Sequence, residues 1–265
     1  MKRICFFLHS IKSAGGAERR IINIVNYLSE GDTQFKVYLL TWDSKQEDSF
    51  YKISKKVKWL KLPYKKGLFN KFMRVLFLYS ILKKNNITNF IGFVMSGYKT
   101  IFLSCYFAKV KIIVAERNSP SMYKINFNIL SRFLIFLNLF FANKIVLQLE
   151  EYAKDYPFFL KKKIKIIENF INIKNKKKLL NKNESDYFKI LIISRLENKQ
   201  KNINNFLYSI KKINEDYLNK IKISIIGDGV DFKIINNTIK ELKLNNCVDI
   251  IKPISFDISS YYLNA

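Results

Sequence analysis

Short apolar runs alternate with longer amphipathic runs along most of the chain, and this alternation constrains the fold more than any other feature. The short runs predict strands at residues 4–8, 35–40, 57–60, 90–94, 111–115, 144–147 and 164–167. The longer runs carry apolar residues at helical spacing and predict helices at 19–28, 69–82, 98–107, 128–141 and 150–160. Strands that alternate with helices indicate parallel sheets covered by helices, so the predicted class is α/β.

Residues 171–186 interrupt this alternation with a polar stretch rich in Lys and Asn, which predicts a linker between two domains. The pattern then resumes with strands at 188–193, 221–226 and 248–251, and with helices at 203–213, 232–242 and from about 257. We therefore expect one Rossmann-like domain at 1–170 and a second at 187–265. Sheets of this type usually have about five or six strands, so the second domain is predicted to be incomplete.

The few cysteines and the single histidine exclude several kinds of site. Cys5, Cys105 and Cys247 are too few and too widely spaced for a disulfide framework or a Cys-cluster zinc site. His9 alone excludes a histidine-rich metal centre, and a Ser-His-Asp triad would have to use it. Residues 1–10 lack the apolar length of a signal peptide, and the longest apolar stretch, 133–142, is about half of what a bilayer span needs. We expect a cytoplasmic protein.

The formal net charge is +26, from 40 Lys and 7 Arg against 21 acidic residues. Lys, Ile and Asn make up 105 of the 265 residues and all have A/T-rich codons, so genome composition explains much of this charge. The lysines are dispersed and no nucleic-acid-binding motif occurs, so specific nucleic-acid binding is not expected. The basic, apolar stretches 68–79 and 129–141 are typical either of helices on anionic lipid or of helices packed on a sheet.

Three loops after predicted strands carry residues that suit an anionic ligand. The Gly-Gly pair at 15–16 precedes the first helix, where the backbone can approach a ligand, although a plain turn would look the same. Arg195, with Lys199 and Lys201, suits a diphosphate, although it also suits a solvated turn. The Gly-Asp-Gly turn at 227–229 ends a strand where α/β sheets place ligands. None of the three is a dinucleotide-binding or Walker A motif.

Together these loops resemble those of retaining glycosyltransferases of the group-1, GT-B class. The segments that carry the resemblance, in chain order, are Gly-Gly-Ala-Glu-Arg at 15–19, Glu-Arg-Asn-Ser-Pro at 116–120, Glu-Asn-Phe-Ile at 168–171, Arg-Leu through Gln-Lys-Asn at 195–202 and Ile-Ile-Gly-Asp-Gly at 225–229. The second segment resembles one in bacterial members that add N-acetylgalactosamine or related sugars to lipid-linked or surface glycans. The resemblance covers the whole chain.

The resemblance implies a GT-B-like pair of Rossmann-type domains with a nucleotide-sugar substrate in the cleft, and no metal cofactor. Arg195 and Lys201 would bind the donor diphosphate, with Lys199 as a competitor because the Arg-to-Lys spacing is one residue longer than the family's commonest. The other implied roles are nucleotide-sugar binding by Gly227, Asp228 and Gly229, an acceptor-side loop with Gly15, Gly16 and Glu18, and catalysis by Glu116 and Asn118 facing the cleft.

The sequence departs from the family pattern in two places. Many relatives have a histidine near residues 116–118, and this chain has none there. The family also continues beyond a segment like 260–265 into a Glu-x7-Glu motif whose glutamates hold the donor's ribose and sugar, and that motif is absent here. We therefore expect a C-terminally truncated chain with an impaired donor site.

The resemblance implies transfer of a hexose or N-acetylhexosamine from a UDP-sugar, with retention, to a lipid-linked or surface glycan, such as one on polyprenyl diphosphate. The alternative is a non-catalytic or partner-completed fragment that binds a glycan or another chain. An anionic membrane surface is a further expected partner, which would place the protein peripherally on the inner face of the cytoplasmic membrane.

Overall fold

The computed structural model describes residues 1–13, 15–31, 34–63, 67–169 and 187–252. The chain divides into two compact units, Met1–Phe170 and Ile171–Ala265.

The first unit is built on one parallel sheet of seven strands. They are β1 (Lys2–Phe7), β2 (Phe35–Thr41), β3 (Lys58–Lys61), β4 (Asn89–Phe93), β5 (Lys111–Ala115), β6 (Lys144–Leu147) and β7 (Ile164–Ile166), in the order β3-β2-β1-β4-β5-β6-β7. The strand order reverses between β1 and β4, the position where open α/β sheets bind ligands beyond the strands' carboxyl ends.

Helices cover both faces of this sheet. They are α1 (Gly16–Gly31), α2 (Leu68–Lys84), α3 (Lys99–Ala108), α4 (Ser121–Asn126), α5 (Ile129–Phe141), α6 (Glu150–Lys154) and α7 (Phe158–Lys161). On one face, α1 buries Ile21 and Val25 against the sheet. On the other face, α2, α3 and α5 bury apolar side chains such as Leu78, Ile101 and Leu139. Apolar residues three and four apart on each helix explain this packing.

The second unit contains a parallel sheet with the order β10-β9-β8. Its elements are β8 (Phe188–Ile193), α8 (Asn198–Lys201), α9 (Ile203–Lys211), α10 (Glu215–Leu218), β9 (Ile221–Ile226), α11 (Phe232–Glu241) and β10 (Val248–Ile251). Leu207 of α9 and Ile235 of α11 pack with Ile223 and Ile225 of the central strand, and all four side chains are buried.

The predicted α/β class is confirmed, and most predicted elements are present. The predicted helix at 150–160 is wrong, because two short helices, α6 and α7, flank Pro157. Proline lacks the N–H that helix continuation needs and disfavours helical backbone in the preceding residue. The short helices α4, α8 and α10 were not predicted. The predicted linker at 171–186 and the last predicted helix, from about 257, lie outside the described residues.

Candidate functional site

In the first unit, side-chain hydrogen bonds hold the loop after β1. The Asp43 carboxylate is buried and accepts hydrogen bonds from the Ser10 hydroxyl and from the Ile11 N–H at 3.1 Å. His9 follows β1 directly, and its Nδ1 lies 2.7 Å from the Tyr98 hydroxyl oxygen. These contacts fix the chain where it leaves the sheet at the strand-order reversal.

The predicted acceptor-side residues lie at the beginning of α1. A Cβ on Gly15 would lie 1.9 Å from Oε2 of Glu18, whereas a Cβ on Gly16 would meet no atom of the described residues within 4 Å. The Gly15 carbonyl accepts a hydrogen bond from the Arg19 N–H at 2.9 Å. The Glu18 side chain is flexible and could move aside, so this contact does not by itself require glycine at residue 15, while the space beside Gly16 is open toward the described residues.

Glu116 follows β5 and is buried, with 1% of its surface exposed. Its Oε2 accepts a hydrogen bond from the Tyr123 hydroxyl at 2.8 Å, while Oε1 has no hydrogen-bond partner of normal geometry. Burial raises the pKa of Glu116, and interactions with Tyr123, Ser96 and Arg117 oppose this in part. The Glu116 carboxyl is thus enclosed within the first unit, and its catalytic role stays a prediction. Asn118 is exposed, and its role likewise stays a prediction.

Arg117, between these two residues, was not predicted as a site residue. Its guanidinium carbon lies 4.4 Å from the Phe93 ring centroid, and Nη1 donates to Oδ1 of Asn169 at 3.1 Å. Asn169 in turn donates to Gln148 at 2.8 Å, so the contacts join the carboxyl ends of β5, β6 and β7. Burial, and then the charge of Arg20, lower the pKa of Arg117 to about 10. The position of Arg117 between Glu116 and Asn118 was the sequence signal that could have indicated it as a site residue.

In the second unit, backbone hydrogen bonds join the loops after β8 and β9. The Ser194 N–H donates to the Ile226 carbonyl at 3.1 Å, and the Leu196 N–H donates to the Asp228 carbonyl at 3.0 Å. Asp231 then caps α8, because its Oδ2 accepts from the Asn198 N–H at 2.7 Å. The structure thus brings the predicted donor-site loops together.

The glycines of the 227–229 turn permit this close approach. A Cβ on Gly227 would lie 1.9 Å from the Ser194 carbonyl oxygen, and one on Gly229 would lie 2.4 Å from the Leu196 carbonyl oxygen. Asp228, between them, is exposed and lies 3.6 Å from the Lys252 ammonium. Both glycines are therefore required by backbone packing beneath the turn.

The predicted diphosphate-binding cations are all exposed. The Arg195 side chain is 57% exposed and lies 4.0 Å from the Glu197 carboxylate, at the limit of an ion pair. Lys199 and Lys201 lie on α8, which is followed by Asn202 in the left-handed region at φ 55°. Both lysines are on the surface, so the structure does not choose between them.

The described residues contain neither a candidate metal cluster nor a membrane-spanning helix. In the part of the chain that the structure describes, no group of three or more His, Cys, Asp or Glu is placed to hold a metal ion. Among the helices within those same residues, none is both long enough and apolar enough to cross a membrane. Of the predicted segment at 168–171, only Glu168 and Asn169 are described; both are exposed.

A family model matches the second unit. Residues 172–265 match the family described as glycosyl transferases group 1. No curated protein sequence matches the chain.

The fold is similar to several solved structures. The lipopolysaccharide outer core galactosyltransferase WaaB, in its apo form, superposes with a TM-score of 0.69 at 14% identity over 99% of this chain and 70% of its own. Sucrose-phosphate synthase from Thermosynechococcus elongatus gives 0.74 at 13% identity, over 100% and 74%. Anabaena HepE in complex with UDP gives 0.66 at 13% identity, over 98% and 71%. The similarity confirms a GT-B-like α/β fold.

Proposed function

Because residues 172–265 match the group 1 glycosyltransferases, we propose that the chain transfers a hexose or N-acetylhexosamine from a UDP-sugar to a glycan acceptor, with retention. The observation that carries the proposal is the joined pair of loops in the matched domain, where Arg195 lies beside the 227–229 turn. A guanidinium beside a tight backbone turn suits the diphosphate of a nucleotide. HepE, which shares the fold, was solved with UDP, and this supports UDP as that nucleotide.

The donor side needs positive charge where the leaving group forms. Transfer breaks the bond between the anomeric carbon and a diphosphate oxygen, and UDP departs with the electron pair. The acceptor hydroxyl oxygen forms the new bond to that carbon, and its proton passes to the departing phosphate. Arg195 and Lys201, or Lys199 in its place, stabilise that negative charge electrostatically. In this proposal these side chains do the work of a divalent cation, so the reaction has no metal cofactor.

The acceptor side is proposed to lie on the first unit, at the carboxyl edge of its sheet. Arg20 and Arg117 are both partly buried there, and the charge of Arg20 lowers the pKa of Arg117. An anion bound beside Arg20 and Arg117 would offset the repulsion between their two positive charges. The pair therefore suits an acceptor with a phosphate, such as a glycan on a lipid diphosphate. In this proposal, the open side of Gly16 and the exposed Asn118 flank the acceptor. The buried Glu116 contributes to catalysis by positioning the loop that carries Asn118.

Isothermal titration calorimetry of the purified chain with UDP tests the donor site. Arg195→Ala removes one charge-assisted contact, worth about 1.5–3 kcal/mol, and should weaken binding about tenfold to a hundredfold. Lys220→Ala, which removes an exposed charge at the amino end of β9, is the matched control and should leave affinity unchanged. Equal losses in both variants would mean that net charge alone attracts UDP. Of Lys199→Ala and Lys201→Ala, only the one at the diphosphate should weaken binding.

Incubation with UDP-hexoses and a lipid-linked glycan tests transfer itself. The expected product keeps the anomeric configuration of the donor, which proton NMR reads directly from the anomeric coupling. UDP binding without transfer would favour the alternative, a chain that binds a nucleotide sugar or glycan and is completed by another polypeptide.

A lipid-linked acceptor also gives a reason for the expected peripheral position at the cytoplasmic face of a membrane.

A further inference from the structure

Helix α5 is apolar on both its inner and its outer side. Ile135 and Leu139 are buried against the sheet, as expected for a covering helix. On its outer side, however, the exposed residues are also apolar: Ile129, Leu130, Phe133, Leu137, Phe140 and Phe141, each between 40% and 76% exposed. A surface helix of a soluble domain normally has a polar outer side, so this helix has the composition of one that is covered on both sides.

Aromatic rings extend this surface onto the neighbouring helices. The rings of Tyr106 on α3 and Phe141 on α5 have centroids 6.4 Å apart, and those of Phe140 on α5 and Phe159 on α7 are 6.2 Å apart. Phe140 and Phe141 connect the two pairs at 5.8 Å. We call the exposed rings of these helices the aromatic face; its members are Tyr106, Phe107, Phe133, Phe140, Phe141 and Phe159.

The aromatic face is large for a surface that remains in water. Each of its six side chains is between 47% and 67% exposed. At roughly 200 Å² for an aromatic side chain, the six together expose about 600–700 Å². That matches or exceeds the largest apolar patch of a typical monomer, and such patches mark interaction sites.

The charge in the segment that carries α3 and α5 has one sign, although Glu150, Glu151 and Asp155 follow on and beside α6. Residues 49–149 contain 18 Lys and Arg but one acidic residue, Glu116, and that side chain is buried. Lys109 and Lys111 are exposed and line a shallow pocket of about 320 Å³ together with Tyr106 and Phe141 of the face. Cations therefore border the rings, and residues 117–149, which include α5, contain no carboxylate.

These observations discriminate between occupants. A second copy would bring the same lysines together in a chain of net charge +26, and this repulsion opposes self-association. An anionic bilayer fits both features, because aromatic rings partition to the boundary between headgroups and acyl chains while lysines bind the lipid phosphates.

We propose that the aromatic face lies on the surface of an anionic phospholipid bilayer, with its rings in the headgroup–acyl boundary and Lys109 and Lys111 against lipid phosphates. The inference deepens the proposed function, since a lipid-linked acceptor gives the contact its purpose. It is tested without donor or acceptor.

The first experiment is co-flotation of the chain with vesicles of phosphatidylcholine, with and without phosphatidylglycerol, at about 0.15 M salt. The wild type should float with the anionic vesicles, and the double variant Phe140→Ser with Phe141→Ser should bind at least about tenfold more weakly. The control is Tyr27→Ser, which removes a still more exposed aromatic ring from α1, the helix that covers the other face of the sheet. Trp42 and Trp59 both lie in the first unit. A tryptophan emission spectrum equal to that of the wild type therefore verifies that this unit of each variant is folded.

Two charge-reversal pairs separate local contact from net charge. Lys109→Glu with Lys111→Glu should abolish binding to anionic vesicles, whereas Lys55→Glu with Lys56→Glu, which changes net charge equally, should retain most of it. Equal losses in the two pairs would overturn the proposal, as would equal binding to vesicles without phosphatidylglycerol. The aromatic face would instead be a contact with a second copy if the wild type did not bind vesicles but formed a dimer in solution, and if the double variant Phe140→Ser with Phe141→Ser were monomeric.

Depth of insertion provides an independent measurement. Phe140→Trp should gain fluorescence that brominated phospholipids quench, while Tyr27→Trp should show no added quenching. Intact UDP binding in all face variants keeps the two proposals separate. If the chain binds UDP but not vesicles, only the proposed membrane contact of the aromatic face is overturned. If it binds vesicles but not UDP, only the proposed donor site is overturned.

Discussion

Gly227→Ala is expected to destabilise the second unit by separating the two loops of the proposed donor site. The new Cβ would lie 1.9 Å from the Ser194 carbonyl oxygen, and real contacts of this kind stay above 3.0 Å, so the loops must part by about 1 Å. The Ser194 N–H bond to the Ile226 carbonyl, now 3.1 Å long, would then be lost. Overpacking costs about 1–3 kcal/mol and each lost hydrogen bond about 1 kcal/mol, which together predict about 2–5 kcal/mol.

Urea unfolding followed by two probes measures this effect. Both tryptophans lie in the first unit, so their fluorescence reports that unit alone, whereas far-UV circular dichroism reports both. The dichroism transition of Gly227→Ala should move by at least about 1 M urea, with no change in fluorescence. Gly97→Ala is the control, because its Cβ would meet no atom within 4 Å, and it should stay within about 0.5 kcal/mol of the wild type. A wild-type midpoint for Gly227→Ala would refute the steric argument.

Three further predictions concern stability. Burial raises the folded-state pKa of Glu116 above its ordinary value of 4.5. Its contribution to the stability of the folded state is therefore complete below pH 4.5 and is lost as the pH rises through the folded pKa. Thermal melts of Glu116→Gln between about pH 4 and pH 8 should lack this loss. Val94 has φ 50°, which strains a β-branched residue, so Val94→Gly should raise the melting temperature of the first unit by relieving about 1 kcal/mol. Asn202 has φ 55°, so Asn202→Ala should cost the second unit about 1 kcal/mol by circular dichroism, while Asn202→Gly should cost less than about half of that.

Much of the fold follows from local pattern, and the errors have local causes. The strands β5 and β6 have the bounds predicted for them, 111–115 and 144–147, because a buried parallel strand is apolar on both faces after its first residue, which is an exposed lysine in each. The predicted helix at 150–160 was broken by Pro157, a residue whose effect the apolar periodicity had hidden. The helix α8 has one turn and lacks buried residues, so no apolar spacing revealed it.

The site was predictable as a set of segments but not as geometry. The burial of Glu116 depends on Ser96, in the loop after β4, and on Tyr123, on α4, and nothing in the Glu-Arg-Asn segment indicates that arrangement. The roles of Gly227 and Gly229 were predicted from their place after a strand. Their steric requirement depends on the main chain of residues 194–196, which only the pairing of β8 with β9 brings into contact.

The position of β1 in the sheet has a consequence for biosynthesis. This strand leaves the ribosome before both of its neighbours, yet it lies inside the sheet between β2 and β4, and its residue Ile4 pairs with Asn89. At typical synthesis rates the second neighbour follows on the order of ten seconds later. During that interval an apolar strand that the finished protein buries has one free edge, and pairing over such a sequence separation is slow. The nascent chain is therefore most vulnerable to aggregation before about residue 95 has emerged, which makes this interval the stage at which a chaperone would act.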